Sequence, residues 1–311
     1  MNYTISCYKT EITEFFLLGF SGSRTLKVLL FFLCIVIYIM SLTVNSMIIG
    51  LYLGSWLRSP MYFFLSHLSA ADILLSTSVV PNFLSTLLWN GQTMSVSACV
   101  VQFFCCCFFT GSECFMLTAM SYDRYLAICN PLHYVTIMTK KHYLCLATLI
   151  WFLVFTSIFT LTITICHSGF FGCNIINDIY CDYSPLSENS RSDIFIVELL
   201  KILLNIILAI LPFLFIMTSY ICIILSILKI STSTRRQKAF STCSSHLTVV
   251  CTFYGILIAK YTVPSKGQSV NVTKTISLVY ILLTPLLNPI IYSFRNRDVQ
   301  KALSKWISLT L

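Results

Sequence analysis

Residues 28–57 read VLLFFLCIVIYIMSLTVNSMIIGLYLGSWL, without one charged side chain. About 20 consecutive apolar residues suffice for a helix to cross a bilayer. A run this long is hard to place in a soluble core and easy to place in lipid. Six more apolar stretches follow. They cover residues 61–88, broken by His67 and Asp72; 96–128, with Glu113 inside; 143–166; 195–228, with Glu198 and Lys201 near its start; 239–261; and 275–294. Each is expected to be helical, because an unsatisfied backbone group in hydrocarbon costs several kcal/mol. The expected fold is an all-α bundle of seven transmembrane helices in a single domain, 1–311.

The composition agrees. The chain has 311 residues, of which 57% are hydrophobic and only 10% charged, against about 25% charged in soluble domains. The net charge of +9 sits in short loops between apolar runs. That pattern fits a membrane protein, and no polybasic stripe of the nucleic-acid-binding kind is present. Most of the 15 cysteines fall inside apolar runs, where Cys acts as a small hydrophobe. No CxxC or Cys/His set has metal-ligand spacing. Residues 1–27 are polar and mixed in charge, so the first span is expected to be retained rather than cleaved.

Loop charge gives the orientation. Arg58, Lys140, Lys141, Lys229, Arg235, Arg236, Lys238, Arg295, Arg297, Lys301 and Lys305 share one side. Asp178, Asp182, Glu188 and Asp193 share the other, with Lys266 and Lys274 as a minority. The basic side reads as cytoplasmic, which puts the N-terminus outside and the C-terminus inside, at the plasma membrane. Asn2-Tyr3-Thr4 is then a glycosylation sequon on the outer side, and Asn271-Val272-Thr273 is a second one close to the membrane. Val299, Leu303, Trp306 and Ile307 recur at helical spacing, with Lys301 and Lys305 between them. Residues 297–309 therefore read as a short amphipathic helix lying on membrane lipid.

Four motifs stand in order on these spans. Residues 60–65 are PMYFFL, 120–129 are MSYDRYLAIC, 238–247 are KAFSTCSSHL and 285–296 are PLLNPIIYSFRN. They resemble, in turn, the PMYxFL, MAYDRYLAIC, KAFSTCASHL and PxLNPxIYSLRN signatures of odorant receptors, within the rhodopsin-like class of G-protein-coupled receptors. The match runs from Asn45 to Asn296. It implies a receptor that takes a small, mostly apolar odorant from outside. It also implies activation of a stimulatory, olfactory-type heterotrimeric G protein, raising cyclic AMP.

The resemblance assigns roles to particular residues. Asp123 and Arg124 form an ion pair that is closed at rest and opens towards the G protein. Tyr125, Tyr220, His246, Asn288, Pro289 and Tyr292 belong to the same activation machinery. A switch of this kind works by biasing a two-state equilibrium. Asp72 and Glu113 are ionisable groups inside apolar spans, which usually face the bundle and serve a function. With Asn288 they match a mid-membrane sodium site, the sole cofactor implied; a hydrogen-bonded carboxyl pair is the plainer alternative. Cys99, fourteen residues before Glu113 and on nearly the same helix face, is expected to bridge Cys181 in an oxidising compartment. The family's second loop bridge has no counterpart. Ten residues either side of Cys181 stand Phe171 and Arg191, and Cys173 lacks an evident mate, so the outer loop is expected to be looser than is usual.

A ligand cavity is expected from Phe103, Cys106, Cys107, Thr110 and Gly111 of span three and Leu204, Asn205 and Leu208 of span five. Tyr254, Leu257, Ile258 and Tyr261 of span six and Leu278 and Ile281 of span seven complete it. For any one of them ordinary packing is the competing explanation. Lys201 follows Glu198 by three residues, which favours an ion pair over a ligand contact. Cys106 occupies the place where amine receptors carry an acid, which argues against an amine-binding reading. Cys243 with His246 is too small a set for a metal and is explained by the KAFSTCSSHL match. Arg235, Arg236 and Lys238 suit anionic lipid or the G protein. Arg58, His67 and Val44 depart from the usual His, Asn and Gly, and His67, near Asp72, could alter the polar network. No nucleophile–base pair or nucleotide loop supports an enzyme, and no repeated broken helices support a transporter. A non-olfactory chemoreceptor of the same fold is the remaining alternative.

Overall fold

A computed structural model describes residues 11–295, apart from 55, 168, 191–193, 230–232 and 263–269, together with 299, 300 and 302. Seven of its helices are long and apolar enough to cross a membrane. They are α1 (Arg24–Leu53), α2 (Pro60–Trp89), α3 (Val96–Cys129), α5 (Lys140–Cys166), the continuous Phe195–Leu228, α9 (Ser233–Thr262) and α10 (Val270–Arg295). Their outward faces are apolar and exposed, as at Leu29, Phe32 and Val36 of α1 and Leu149, Phe152 and Phe159 of α5. A soluble protein does not present apolar surface on this scale. Threonines on these helices donate back to carbonyls one turn earlier, as Thr156 does to Phe152 and Thr160 to Thr156, so their hydroxyls need no water. The protein is a multi-pass membrane protein.

The helix limits follow local chemistry. Ser23, Ser95 and Thr139 cap α1, α3 and α5, each accepting from a backbone N–H three residues on, as N-caps do. α1 stops at Leu53, short of the expected 57, and Pro60 opens α2 after the intervening turn. The fifth span has three parts: α7 (Ile194–Asn205), a π-helical turn (Ile206–Ile210) and α8 (Leu211–Leu228). Pro212 has no N–H for the carbonyl of Leu208, and the wide turn accommodates that loss. It buries Leu208 within the bundle while Ile207 and Ile210 stay exposed. In α10, Pro289 likewise leaves the carbonyl of Pro285 without its helical donor. Asn45 of α1, fully buried, donates to that oxygen at 2.8 Å.

The short helices and strands before and between the spans were not expected from the sequence. α4 (Pro131–Ile137) follows α3, and α6 (Tyr183–Asn189) precedes α7. Three short strands close one end of the bundle: β1 (Glu14–Leu17), β2 (Gln92–Ser95) and β3 (Ile175–Ile176). β1 lies between the other two, antiparallel to β2 and parallel to β3. Phe15 and Leu17 point into a satellite core with Cys99, Phe103, Ile165, Ile176 and Cys181. The strands are too short for periodicity to reveal them.

α2 enters β2 through Asn90 and Gly91, both at positive φ, 56° and 116°. A Cβ on Gly91 would stand 2.5 Å from Cζ of Phe16. Gly91→Ala is therefore expected to cost about 1–3 kcal/mol through backbone strain and crowding of β1. A lower melting temperature of the purified protein and a smaller surface-displayed fraction would register it. An unchanged melting temperature would count against this packing.

Candidate functional site

A cavity opens near the sheet end. The π-helical turn helps to line it through Leu208 and Ala209, and Gly111 lets α5 approach α3: a Cβ there would meet Val154 at 2.9 Å. Of the expected residues, Phe103, Cys106, Cys107, Thr110, Gly111, Leu204, Asn205, Leu208, Leu257, Tyr261 and Ile281 line it, and so does Lys201. Three do not. Ile258 is on the outward face of α9 and 53% exposed; the cavity face of this helix runs through Leu257, Lys260 and Tyr261 instead. Tyr254 packs its ring on Phe213, 4.8 Å away, and Leu278 packs against the main core. Lys201 does pair with Glu198, at 3.6 Å, and its ammonium also sits 4.0 Å above the Tyr183 ring. Thr110 is already engaged: it donates to the carbonyl of Cys106 and accepts from Tyr280.

The sequence reading passes over Lys260, which lines the same cavity. Its ammonium lies 3.1 Å from Asp182 Oδ2, and it also donates to the Tyr180 hydroxyl. Tyr180 in turn donates to Asp182 Oδ2, at 3.0 Å, and the backbone N–H of Tyr183 donates to Asp182 Oδ1, at 2.8 Å. Burial alone would push the Asp182 carboxyl up, but Lys260 overrides it and holds this carboxyl below its ordinary range. The signal in the sequence was the one applied to Asp72 and Glu113, an ionisable residue inside an apolar span.

Deeper in the bundle, Asp72 and Glu113 are fully buried side by side. Asn288 donates its amide to both Asp72 oxygens at 3.2 Å. Neither Glu113 oxygen has a well-formed hydrogen bond among the described residues. Two carboxyl groups and a side-chain amide are hard oxygen donors, the kind alkali and alkaline-earth cations prefer; Asp72 and Glu113 also lie close enough for a direct carboxyl–carboxyl contact. Among the described residues, no group of three His, Cys, Asp or Glu could hold a metal, so a cation here would complete its shell with water. His67 does not join this cluster. It accepts from Trp151 Nε1, at 3.2 Å, and packs on Phe63.

At the opposite end, Asp123 is buried and paired with Arg124, whose Nε donates at 2.9 Å. Tyr134 of α4 donates to the other Asp123 oxygen at 2.8 Å. Burial, reinforced by Asp123, pushes the Tyr134 phenol above its ordinary range, so it remains a donor. Tyr220 and His246 share a 2.6 Å hydrogen bond with stacked rings, and the Tyr292 ring lies 6.4 Å from His246. The hydroxyl of Tyr292 is buried without a partner among the described residues. Tyr125 is half-buried against the core, and Pro289 lies within α10.

The family model described as "Olfactory receptor" matches residues 33–309. The chain belongs to the olfactory receptor family. It is an odorant-sensing G-protein-coupled receptor and not an enzyme. Human olfactory receptor 9Q2 is 41% identical over 99% of this receptor and 96% of its own length. Human olfactory receptor 6X1 is 42% identical over 95% of each chain. Mouse olfactory receptor 5P73 is 40% identical over 95% of this receptor and 90% of its own length.

The receptor bridges Cys99 to Cys181, with Cα atoms 5.5 Å apart. Gln102 seats the bridged loop by accepting from the Cys181 N–H at 3.0 Å. The expectation for Cys173 is corrected: it is disulfide-bonded, to a partner outside the described residues. The loop is not loose either. It pairs with β1, and Lys274 ties Asn177 to the carbonyl of Gly19 through two 2.7 Å hydrogen bonds. The sequon at Asn2, the loop basic residue Arg235 and most of residues 297–309 lie outside what can be described of side chains or backbone; Val299, Gln300 and Ala302 alone are described in the last segment.

Asp178 gives this loop a pH dependence. Burial, then the Asp182 carboxylate, raises its carboxyl from 3.8 to about 6. Between those values the folded receptor holds a proton on Asp178 that the unfolded chain has released, so the contribution of Asp178 to stability is fully present below about pH 4 and is lost as pH rises through about 6. Relative to Asp178→Asn, the unmodified receptor should lose roughly 2–5 °C of melting temperature across that window and nothing more above it. Parallel melting curves at every pH would contradict the assignment.

Proposed function

We propose that this receptor sits in the plasma membrane with its sheet end outside, binds a small, mostly apolar odorant in the cavity, and activates a stimulatory heterotrimeric G protein to raise cyclic AMP. One observation carries the reading. α3 and α9 line the cavity near one end and carry the Asp123–Arg124 pair and His246 near the other. A ligand that shifts these two helices relative to each other acts on both sets of contacts. The orientation is supported by charge: Lys140, Lys141 and Arg58 lie at the end opposite the sheet, and Asp178 and Asp182 at the sheet end. Anionic lipid and the G protein are the natural partners of the basic end.

Expression with a cyclic-AMP reporter and an odorant panel tests the coupling. Arg124→Ala is expected to abolish the response at equal surface display. Tyr134→Phe, which removes one restraint on Asp123, should raise basal cyclic AMP several-fold. Cyclic AMP at the control level for every ligand, despite surface display, would refute stimulatory coupling.

Asp72, Glu113 and Asn288 would hold sodium, which supplies a mobile charge that steadies the resting bundle. In that case Glu113→Gln makes basal signalling insensitive to replacing sodium by a large organic cation. Equal sodium sensitivity in the variant and the unmodified receptor would remove the ion from this account.

A further inference from the structure

We propose that the ligand of this cavity is a neutral molecule with an apolar body and one carbonyl oxygen, which accepts a hydrogen bond from the Lys260 ammonium. The inference rests on the receptor reading above and specifies the chemistry its cavity selects.

An ammonium has three donors. One faces Asp182 Oδ2 and one the Tyr180 hydroxyl; the third meets no acceptor among the described residues. Around it stand the rings of Tyr180, Tyr261 and Tyr280, with centroids 5.0, 5.8 and 5.7 Å from Nζ. Rings of this kind favour a cation but do not use up its directional hydrogen bond. The Lys260 side chain is only 9% exposed, so bulk water competes weakly for that donor.

Charge decides the class of ligand. Lys260 is already matched by Asp182, and Lys201 at the cavity's edge by Glu198. A carboxylate ligand would bring a second anion up to Asp182 beside an already matched Lys260, and an amine would bring a second cation up to Lys260. A neutral acceptor does neither. The hydrogen-bond count narrows the class further. Asp182 Oδ2 already receives Tyr180 and Lys260, and Oδ1 receives the Tyr183 N–H. An alcohol accepting from Lys260 would find Oδ2, the oxygen beside the ammonium, already doubly engaged, and its own hydrogen unplaced there. An aldehyde, ketone or ester brings no such hydrogen. Of the other polar groups on the wall, Thr110 is engaged with Tyr280 and Cys106 and Asn205 lies on the fifth-span side; much of the rest is apolar, as at Phe103, Leu257 and Ile281.

The test uses the full-length receptor in cells, with a surface-display count and a G-protein dissociation sensor that covers every α-subunit class. The probes are octanal, octan-2-one, octyl acetate, octan-1-ol, octanoate, octylamine and octane, with branched and cyclic counterparts. Carbonyl compounds should be the agonists, each at least roughly tenfold more potent than its alkane, acid, amine or alcohol counterpart. Lys260→Met should raise their half-maximal concentration by a similar factor, and Lys260→Arg by less. An alcohol, acid, amine or alkane that matches its carbonyl counterpart overturns this inference alone. So does a Lys260→Met receptor, at equal display, that keeps carbonyl potency within about threefold. Should Lys260→Met not reach the surface, the ranking of probes on the unmodified receptor still decides. A displayed receptor with no agonist in the panel overturns the odorant reading together with this one.

Discussion

The carbonyl of Pro285 depends on Asn45. A helix surrounded by apolar side chains and lipid has no water to complete its backbone, so each proline in it leaves an oxygen to be satisfied from elsewhere. Asn45 meets that need from the first span, across to the last. The same amide also donates to the Ser41 carbonyl, so it is fixed within its own helix. This bond holds α10 in the register that brings Asn288 to Asp72 and places Tyr292 near His246. Pro212 is handled differently, by a widened turn, and that turn helps to shape the cavity wall. Two prolines and two remedies thus set the polar core and the pocket.

The two ends of the bundle are built on different principles. At the sheet end, charge is paired through the loop: Asp182 comes from the segment before the fifth span and Lys260 from the sixth. The disulfide and Gln102 fasten that loop to α3. At the other end the ion pairing is local, Asp123 with the next residue, and the longer connection is the Tyr220–His246 hydrogen bond with its stacked rings. A contact between distant segments resists displacement of helices more than a contact between neighbours does. The sheet end is therefore the stiffer frame, and the opposite end is the one whose helices have fewer direct ties among the described residues.

Much of this was legible in the sequence, for a physical reason. Seven helices follow from hydropathy because lipid makes helix formation obligatory over any long apolar run. Asp72 and Glu113 announce themselves as charges where charge is expensive. The small sheet was not legible: strands of two to four residues carry no period, and β1 is fixed by partners far along the chain. Ile258 was misplaced because the cavity face of the helix runs through Leu257, Lys260 and Tyr261, whose centre lies about 100° round the helix from Ile258. Lys260 was missed because it lies near a span's end, where a lysine is easily taken for an interfacial anchor. Cys173 illustrates a further limit. Spacing within one loop says nothing about a partner elsewhere in the chain.

β1 has a further consequence, for biosynthesis. It emerges before any membrane span, yet both of its strand partners come later: β2 only after the second span, β3 only after the fourth. Lys274, which ties Gly19 to the loop, follows in the last span. Pairings between segments so far apart in the chain form slowly. During synthesis the leading segment must therefore remain unpaired and soluble while the bundle is threaded beside it. The sheet end is thus completed last, and a receptor released too early would have its helices in place but that end unfinished.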